Sequence, residues 1–169
     1  MVRYCPGCGL ANPAVEQGRA IRCGACGFLL FFNSAASTAA LIARNGLLLV
    51  CVRAKSPARG LLGFPGGFLE YGETVEQGLR REIWEELHIE ADNFRYLCSS
   101  PNDYTYAGVP YRTTDMYFLC DVSDFSEMRA ADDVEDFLWV DPRTLEPARL
   151  AFPSARRALA EFLRQGSIR

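Results

Sequence analysis

The fold of this chain is decided by residues 67–89, which read GFLEYGETVEQGLRREIWEELHI. Four apolar side chains recur there at steps of four residues: Val75, Leu79, Ile83 and Leu87. Residues four apart lie on one face of an α-helix, so the spacing predicts an amphipathic helix over residues 74–87. One face of that helix has to be buried against the rest of the domain.

Three glutamates lie beside the apolar stripe, at Glu82, Glu85 and Glu86. Their spacing of i, i+3 and i+4 places three carboxylates on one helix face, where like charges repel. Arg81 can offset part of that repulsion, but a hard cation such as Mg²⁺ explains the whole cluster better. Mg²⁺ commonly shares its coordination with substrate phosphates, so the cluster indicates phosphate chemistry. On the glutamates alone, a solvated acidic face remains the alternative.

The whole stretch fits the pattern G-x5-E-x7-R-E-U-x-E-E, where U is apolar, and resembles the signature of the Nudix (MutT-like) hydrolases. The resemblance implies an α/β fold, an α/β/α sandwich around a mixed β-sheet. The family has a glycine where this chain has His88. We expect His88 to cap the helix in a left-handed conformation and to take no part in catalysis.

The resemblance also implies a reaction: attack by water on a nucleoside diphosphate linked to another group, with Mg²⁺ or Mn²⁺ as cofactor. The roles that carry over are metal-binding carboxylates (Glu82, Glu85, Glu86), an arginine that orients them (Arg81), a glutamate that braces the loop (Glu73) and glycines whose backbone adjoins the metal (Gly66, Gly67). A later loop often adds a carboxylate as ligand or base. The acidic run 132–136 lies in the matching place, and both Asp133 and Glu135 remain candidates.

Strand signals surround the predicted helix. Asn45-Gly46 separates apolar runs at residues 36–44 and 47–54, which predicts a hairpin. Further strands are predicted near residues 93–99, 111–122 and 136–140, and a last helix after Pro153. Strands and helices that mix in this way indicate an α/β or α+β domain with a mixed sheet.

Two C-x-x-C pairs stand near the N-terminus, formed by Cys5, Cys8, Cys23 and Cys26. Four thiolates at this spacing predict a closed, structural Zn²⁺ site of the zinc-ribbon type, since the segment contains no histidine. Unligated thiols or a redox pair are the alternative. The prediction divides the chain into a zinc ribbon at residues 1–35 and a catalytic domain at residues 36–169.

Composition limits the class of protein. The 169 residues are 49% hydrophobic and 23% charged, as in ordinary globular proteins. No window of about 18 residues is free of charge, and no signal peptide is visible, so we expect a soluble cytoplasmic protein. The acidic character beyond residue 35 gives no strong signal for nucleic-acid binding. We expect a nucleotide-derived small molecule as partner and, as in many relatives, a homodimer.

The substrate stays open. A cysteine ribbon joined to this signature is similar in layout to the bacterial NADH pyrophosphatase group. That group continues Ser-Gln-Pro-Trp-Pro-Phe-Pro after the signature, whereas this chain keeps only Ser99 and Pro101 and has Asn102 in place of tryptophan. NAD(H), ADP-ribose, other nucleotide sugars and dinucleoside polyphosphates all remain candidates. The candidate substrate-binding residues are aromatic and can stack on a base: Phe68, Tyr104, Tyr106 and Tyr111.

Two functions of other classes compete with the hydrolase. One is a nucleotide-sensing regulatory domain whose ribbon docks a partner. The other is RNA binding through the ribbon with decapping-like chemistry. A sensor would tolerate loss of the metal-binding glutamates, and here all three are intact, which favours the enzyme.

Overall fold

The computed structural model of the chain describes residues 2–166, and its two compact units divide between Ser34 and Ala35. The smaller unit contains a three-stranded antiparallel sheet, β1 (Ala14–Glu16), β2 (Ala20–Arg22) and β3 (Leu29–Phe31), with β2 in the middle. Ala20 and Ile21 of the central strand are buried together with Cys5 and Cys23. So few buried side chains form a very small core, which is typical of units that a bound metal stabilises.

The larger unit is built on one mixed sheet. Its strands are β4 (Ala35–Arg44), β5 (Leu47–Arg53), β6 (Leu62–Gly63), β7 (Gly66–Phe68), β8 (Asp92–Tyr106), β9 (Val109–Asp121) and β10 (Val134–Val140). The order is β10-β5-β4-β9-β8, with β6 paired to β5 and β7 paired to β4. Strands β4 and β9 run parallel, and the other pairs are antiparallel. The helices are α1 (Val75–Leu87) and α2 (Pro153–Gln165), and a short 3-10 turn covers Pro147–Arg149.

The two faces of the sheet carry separate apolar clusters because side chains alternate along each strand. Leu41 of β4 packs with Leu159 and Phe162 of α2. Its neighbour Ile42 packs on the opposite face with Leu79 and Ile83 of α1, among others. The helices therefore cover opposite faces, and the α/β sandwich expected from the sequence is confirmed.

Helix α1 has a cap at each end. The Thr74 hydroxyl accepts from the Gln77 N–H while the Gln77 side chain accepts from the Thr74 N–H, which is a capping box. At the other end, His88 has a left-handed backbone conformation with φ of 54°, and its N–H donates to the carbonyl of Trp84. The predicted capping role of His88 is confirmed.

Strand β8 is longer than the prediction of residues 93–99. It continues to Tyr106 and returns as β9 through a turn at Ala107 and Gly108, whose φ angles of 48° and 77° suit a tight hairpin. Pro101 and Asn102 are poor strand formers, so the sequence did not predict this extension. Because β8 is an edge strand, a proline is tolerated there. The extension makes Asn102 and Tyr104 strand residues.

Candidate active site and cysteine cluster

The acidic face of α1 meets the backbone of β7. Glu86 is buried, and its Oε2 accepts a hydrogen bond of 2.9 Å from the Gly66 N–H. Burial raises the pKa of Glu86 to about 8 and also raises the pKa of Glu82. Both shifts have the same cause, since a carboxylate removed from water loses the solvation of its charge. A cation beside these groups would favour their ionised form.

Arg81 joins the acidic residues into one network. Its guanidinium donates twice to Glu73, at 2.8 and 3.0 Å, and once each to Glu82 and Glu85, at 2.9 and 3.0 Å. The fifth donor binds the carbonyl of Phe68 at 3.0 Å. Each of the five N–H donors of an arginine is thereby matched to an acceptor. Arg81 thus contacts Glu73 and two of the three glutamates that the sequence singled out.

Glycines allow β7 to approach this network closely. A Cβ atom at Gly67 would lie 2.5 Å from Oε1 of Glu82. At Gly66, a Cβ would lie 2.1 Å from the carbonyl oxygen of Thr38, and φ is +142°. Only glycine fits both requirements at Gly66.

A cavity of about 370 Å³ opens beside the acidic network. That volume lies in the range of small-molecule sites, about 300–1,000 Å³. The predicted site residues that line it are Gly66, Gly67, Phe68, Arg81, Glu82, Glu85, Glu86, Tyr104 and Asp133. Glu73 contacts the site through Arg81.

The loop before β10 contributes one of its two predicted candidates. Asp133 lines the cavity and pairs with Lys55, which also binds Asp132 at 3.2 Å. Glu135, the second candidate, belongs to β10, is exposed and does not line the cavity.

Two of the four candidate aromatic residues meet at the cavity. The rings of Phe68 and Tyr104 are 5.4 Å apart in an edge-to-face arrangement, and Tyr104 lies 5.6 Å from Phe152. Tyr106 lies nearer the tip of the β8–β9 hairpin, and Tyr111 lies opposite Tyr104 on the neighbouring strand; both are exposed and do not line the cavity. The aromatic wall is thus Phe68, Tyr104 and Phe152.

The cysteines of the smaller unit converge. Within residues 2–166, they are the only His, Cys, Asp or Glu cluster whose ligand atoms all lie within 4.8 Å of one another. The sulfurs of Cys5 and Cys26 are 3.7 Å apart, and those of Cys8 and Cys23 are 3.6 Å apart. The three glutamates of α1 do not meet this criterion, and two of them, Glu82 and Glu85, share one nitrogen of Arg81.

The cysteine pairs lie on two equivalent turns. The N–H of Gly9 donates to the carbonyl of Cys5, and the N–H of Gly27 to that of Cys23, each at 2.9 Å. Both glycines have φ of +74°, in the left-handed region. The repeated turn aims all four sulfurs at one point.

Comparison with known proteins identifies the larger unit. The NUDIX domain family matches residues 33–162. The chain belongs to the Nudix family. Within residues 2–166, neither helix has the length and hydropathy that a membrane crossing requires.

Relatives of this Nudix chain include the NAD-capped RNA hydrolase NudC of Pseudomonas aeruginosa. It is 27% identical over 163 residues, which cover 95% of this chain and 54% of that protein. The NudC of Haemophilus influenzae is 32% identical over 101 residues, 59% of this chain and 38% of that protein. The Nudix chain thus spans about half, or less, of the length of the curated relatives it matches.

Solved structures share the Nudix fold. A NUDIX hydrolase from Nitrosomonas europaea aligns with a TM-score of 0.74 at 20% identity, over 99% of this chain and 94% of that one. A MutT NUDIX hydrolase from Burkholderia pseudomallei aligns with a TM-score of 0.63 at 27% identity, over 76% of this chain and 98% of that one. A bifunctional NMN adenylyltransferase/ADP ribose pyrophosphatase from Francisella tularensis, complexed with AMP and a Mn ion, aligns with a TM-score of 0.56 at 24% identity. The alignment covers 80% of this chain and 42% of that one.

Several residues of the Nudix cavity were not predicted from the sequence. Arg53 lies with its guanidinium carbon 5.0 Å from the centroid of the Phe152 ring, and Asp132 adds another carboxylate. Asp115, Ser37 and Thr113 form a polar end of the cavity. Arg53 and Phe152 are far apart in sequence and carry no motif, so only the fold brings them together.

Proposed function

We propose that this chain is a divalent-metal-dependent pyrophosphohydrolase that cleaves the diphosphate of a nucleoside diphosphate linked to another group. The observation that carries the proposal is a set of three glutamates at a cavity of about 370 Å³: Arg81 holds Glu82 and Glu85, and the Gly66 N–H holds Glu86. Carboxylate oxygens are the ligands that Mg²⁺ and Mn²⁺ prefer.

The acidic residues fit such a cation. Glu86 is a buried carboxylate with a single hydrogen bond, from the Gly66 N–H, and burial raises its pKa to about 8. Mg²⁺ keeps several waters, so its ligands need not converge as closely as the cysteines do. Glu82, Glu85 and Glu86 would hold the ion, which when bound neutralises phosphate charge and activates water.

The remaining residues orient the reactants. Arg81 fixes Glu82 and Glu85, Glu73 fixes Arg81, and Arg53 supplies a positive charge for the phosphates. A water oxygen bonds to phosphorus as the bridging P–O bond breaks, and the water proton passes to a carboxylate. We assign Asp133 to accept that proton, because it lines the cavity from the loop before β10.

The substrate belongs to the class of nucleotides that carry a second group on the diphosphate, such as NAD(H), ADP-ribose or a dinucleoside polyphosphate. NudC relatives are named for hydrolysis of NAD-capped RNA, and the Francisella protein is named an ADP ribose pyrophosphatase. Intact carboxylates also argue against a purely nucleotide-sensing domain, which would not need them.

We also propose that Cys5, Cys8, Cys23 and Cys26 hold a structural Zn²⁺. A tetrahedral ZnS₄ site with Zn–S bonds of about 2.3 Å requires sulfurs about 3.8 Å apart. The separations of 3.7 and 3.6 Å fit that requirement. With all four positions taken by sulfur, the site has no open position for catalysis.

A product assay tests the hydrolase. The chain is incubated with Mg²⁺ or Mn²⁺ and a panel of NAD, NADH, ADP-ribose, nucleotide sugars and diadenosine polyphosphates, and products are identified by mass spectrometry. We expect a nucleoside monophosphate and a second phosphate compound from at least one of them, and no turnover after metal removal. Metal-independent turnover, or none across the panel, would contradict the proposal.

A further inference from the structure

The end of the cavity formed by the β8, β9 and α2 residues is polar rather than apolar. Ser37 of β4 is paired across the sheet with Asp115 of β9, and Thr113 of β9 is paired with Asn102 of β8. These four side chains share one face of the sheet, the face that α2 covers, and all four line the cavity. They lie beside the aromatic wall of Phe68, Tyr104 and Phe152.

Asp115 is buried and has no basic partner among residues 2–166 within 4.0 Å. Instead, it accepts three hydrogen bonds of 2.6 Å. Oδ1 accepts from the hydroxyls of Ser37 and Thr113, and Oδ2 accepts from that of Ser154. The Ser154 oxygen in turn accepts from the Tyr117 hydroxyl at 3.0 Å. The hydroxyl protons of Ser37, Thr113 and Ser154 therefore point toward the carboxylate, and that of Tyr117 points toward Ser154.

These three hydrogen bonds leave the Asp115 carboxylate with one unused acceptor position. A carboxylate offers about four lone-pair sites, and three are used. The free one belongs to Oδ2, which accepts a single hydroxyl. An ionised carboxylate can only accept, so the group that completes Asp115 has to be an N–H or O–H donor.

Asn102 provides the second, independent observation. It is only 9% exposed, and in the described part of the chain its carboxamide forms no hydrogen bond. Because this carboxamide lies in a cavity wall and has no partner in the protein, its oxygen and its NH₂ group are available to accept from and donate to a ligand.

We infer that this end of the cavity is a base-binding subsite selective for 6-aminopurines, in which Asp115 accepts from the exocyclic amino group and Asn102 pairs with an adjacent ring nitrogen. The aromatic wall supplies stacking contacts for the purine ring. A purine with a carbonyl at position 6 would place an oxygen against the carboxylate, where two acceptors repel. The inference rests on the proposed function, because it specifies the nucleoside half of that substrate.

Nucleotide binding tests the subsite without requiring turnover. AMP, IMP and GMP are titrated separately into the whole chain by calorimetry. We expect AMP to bind at least about 10-fold more tightly than IMP or GMP, the usual scale for one hydrogen bond to a charged group. The variants N102A and D115N should each lower AMP affinity about 10-fold and change IMP affinity little. D121N, on the same strand but outside the cavity, is the matched control and should bind like the unaltered chain.

Several results would overturn the inference. They are equal affinities for AMP and IMP, tighter binding of GMP, no binding of any of the three, or an equal loss of AMP and IMP affinity in N102A. If D115N does not fold, N102A decides, since its side chain supports no hydrogen bond in the described protein. Hydrolysis without base preference would leave the proposed function standing and refute the subsite. Preference for AMP without hydrolysis of any panel compound would leave the subsite standing and refute the proposed function.

Discussion

At the scale of single residues, the site depends on one arginine and its acidic partners. Arg81 reaches Glu73 from one side of the loop and two metal-ligand candidates from the other. Lysine has three donors around one nitrogen and could not bridge these groups in the same plane. Glu73 therefore matters through Arg81 and has no contact with the cavity of its own.

Glu73 gives a pH-dependent prediction. The hydrogen bonds from Arg81 lower the pKa of Glu73 from 4.5 to about 2. A carboxylate whose pKa is lowered by folding stabilises the protein above its unfolded pKa, and that contribution disappears as the pH falls through the folded value. We expect E73Q to melt below the unaltered chain at pH 7, with the difference shrinking between pH 4.5 and 2. Melting curves across that pH range measure the difference in melting temperature. E76Q, at an exposed site on the same helix, is the control. A difference independent of pH would contradict the pairing.

The metal-ligand candidates give a prediction of activity. E85Q keeps the shape of an exposed side chain and removes its charge, so the fold should be unaffected. We expect turnover to fall by about 10²- to 10³-fold, the scale of losing one electrostatic contact to the transition state. E86Q should act in the same direction. Steady-state kinetics at saturating Mg²⁺ measure the effect, and E76Q should retain full activity. Unchanged turnover in E85Q would remove it from the site.

At this scale, the sequence identified the acidic residues and the arginine because helical periodicity and a dense motif place them on one face. It did not identify Asp115 or Asn102. Each is an isolated polar residue in a strand, and its meaning depends on Ser37 and Ser154, which lie 78 and 39 residues away from Asp115 in the chain. No local pattern contains that information.

At the scale of elements, strand β7 and helix α1 define the site by how closely they approach. The contact needs glycine at two successive positions, each for a different reason. Gly66 meets the backbone of β4, whereas Gly67 meets a carboxylate of α1. Substitution should therefore destabilise the fold at Gly66 and lower turnover at Gly67.

This difference can be measured. In G67A the new methyl group displaces the Glu82 carboxylate, which is the end of a flexible side chain, so the melting temperature should change little. Turnover should fall by about 10²-fold, since displacements near 1 Å cost that much. G63A is the matched control, because a Cβ there meets nothing within 4 Å although Gly63 also lines the cavity. Full activity in G67A, measured with circular dichroism and kinetics, would contradict the close approach.

Elements were predicted well where periodicity is strong. Helix α1, the β4–β5 hairpin and the start of α2 lie within a few residues of the prediction. The extension of β8 was missed, since pairing with β9 overrides the weak strand propensity around Pro101. That extension positions Asn102 and Tyr104; the sequence singled out Tyr104 as a candidate for stacking on a base but did not place Asn102 in the cavity wall.

At the scale of the whole molecule, the two units depend on different forces. The larger has apolar clusters on both faces of its sheet, whereas the smaller buries few side chains around its cysteines. The sequence anticipated this contrast from the cysteine spacing and the hydrophobic pattern. The three strands of the smaller unit carry no comparable pattern, being three residues each.

Metal removal tests the smaller unit. We expect the chain to contain about one zinc per molecule, released on denaturation. C26S should lose the metal and unfold residues around β1–β3, visible by hydrogen exchange, while the larger unit keeps its protection. C98S, in β8 outside the cysteine cluster, is the matched control and should retain the zinc. A folded, zinc-free smaller unit would contradict the structural role of the metal.

The most direct test of the account follows the oxygen of water into the product. The chain is supplied with Mg²⁺ and the diphosphate panel in ¹⁸O-labelled water, and the ¹⁸O content of each phosphate product is measured by mass spectrometry. We expect a nucleoside monophosphate and a second phosphate compound, with one ¹⁸O on one of the two phosphates, and we expect E85Q to form this labelled product about 10²- to 10³-fold more slowly. Unlabelled phosphates, labelled product in E85Q at the full rate, or an intact panel would contradict the claim that the acidic face of α1 directs water to phosphorus.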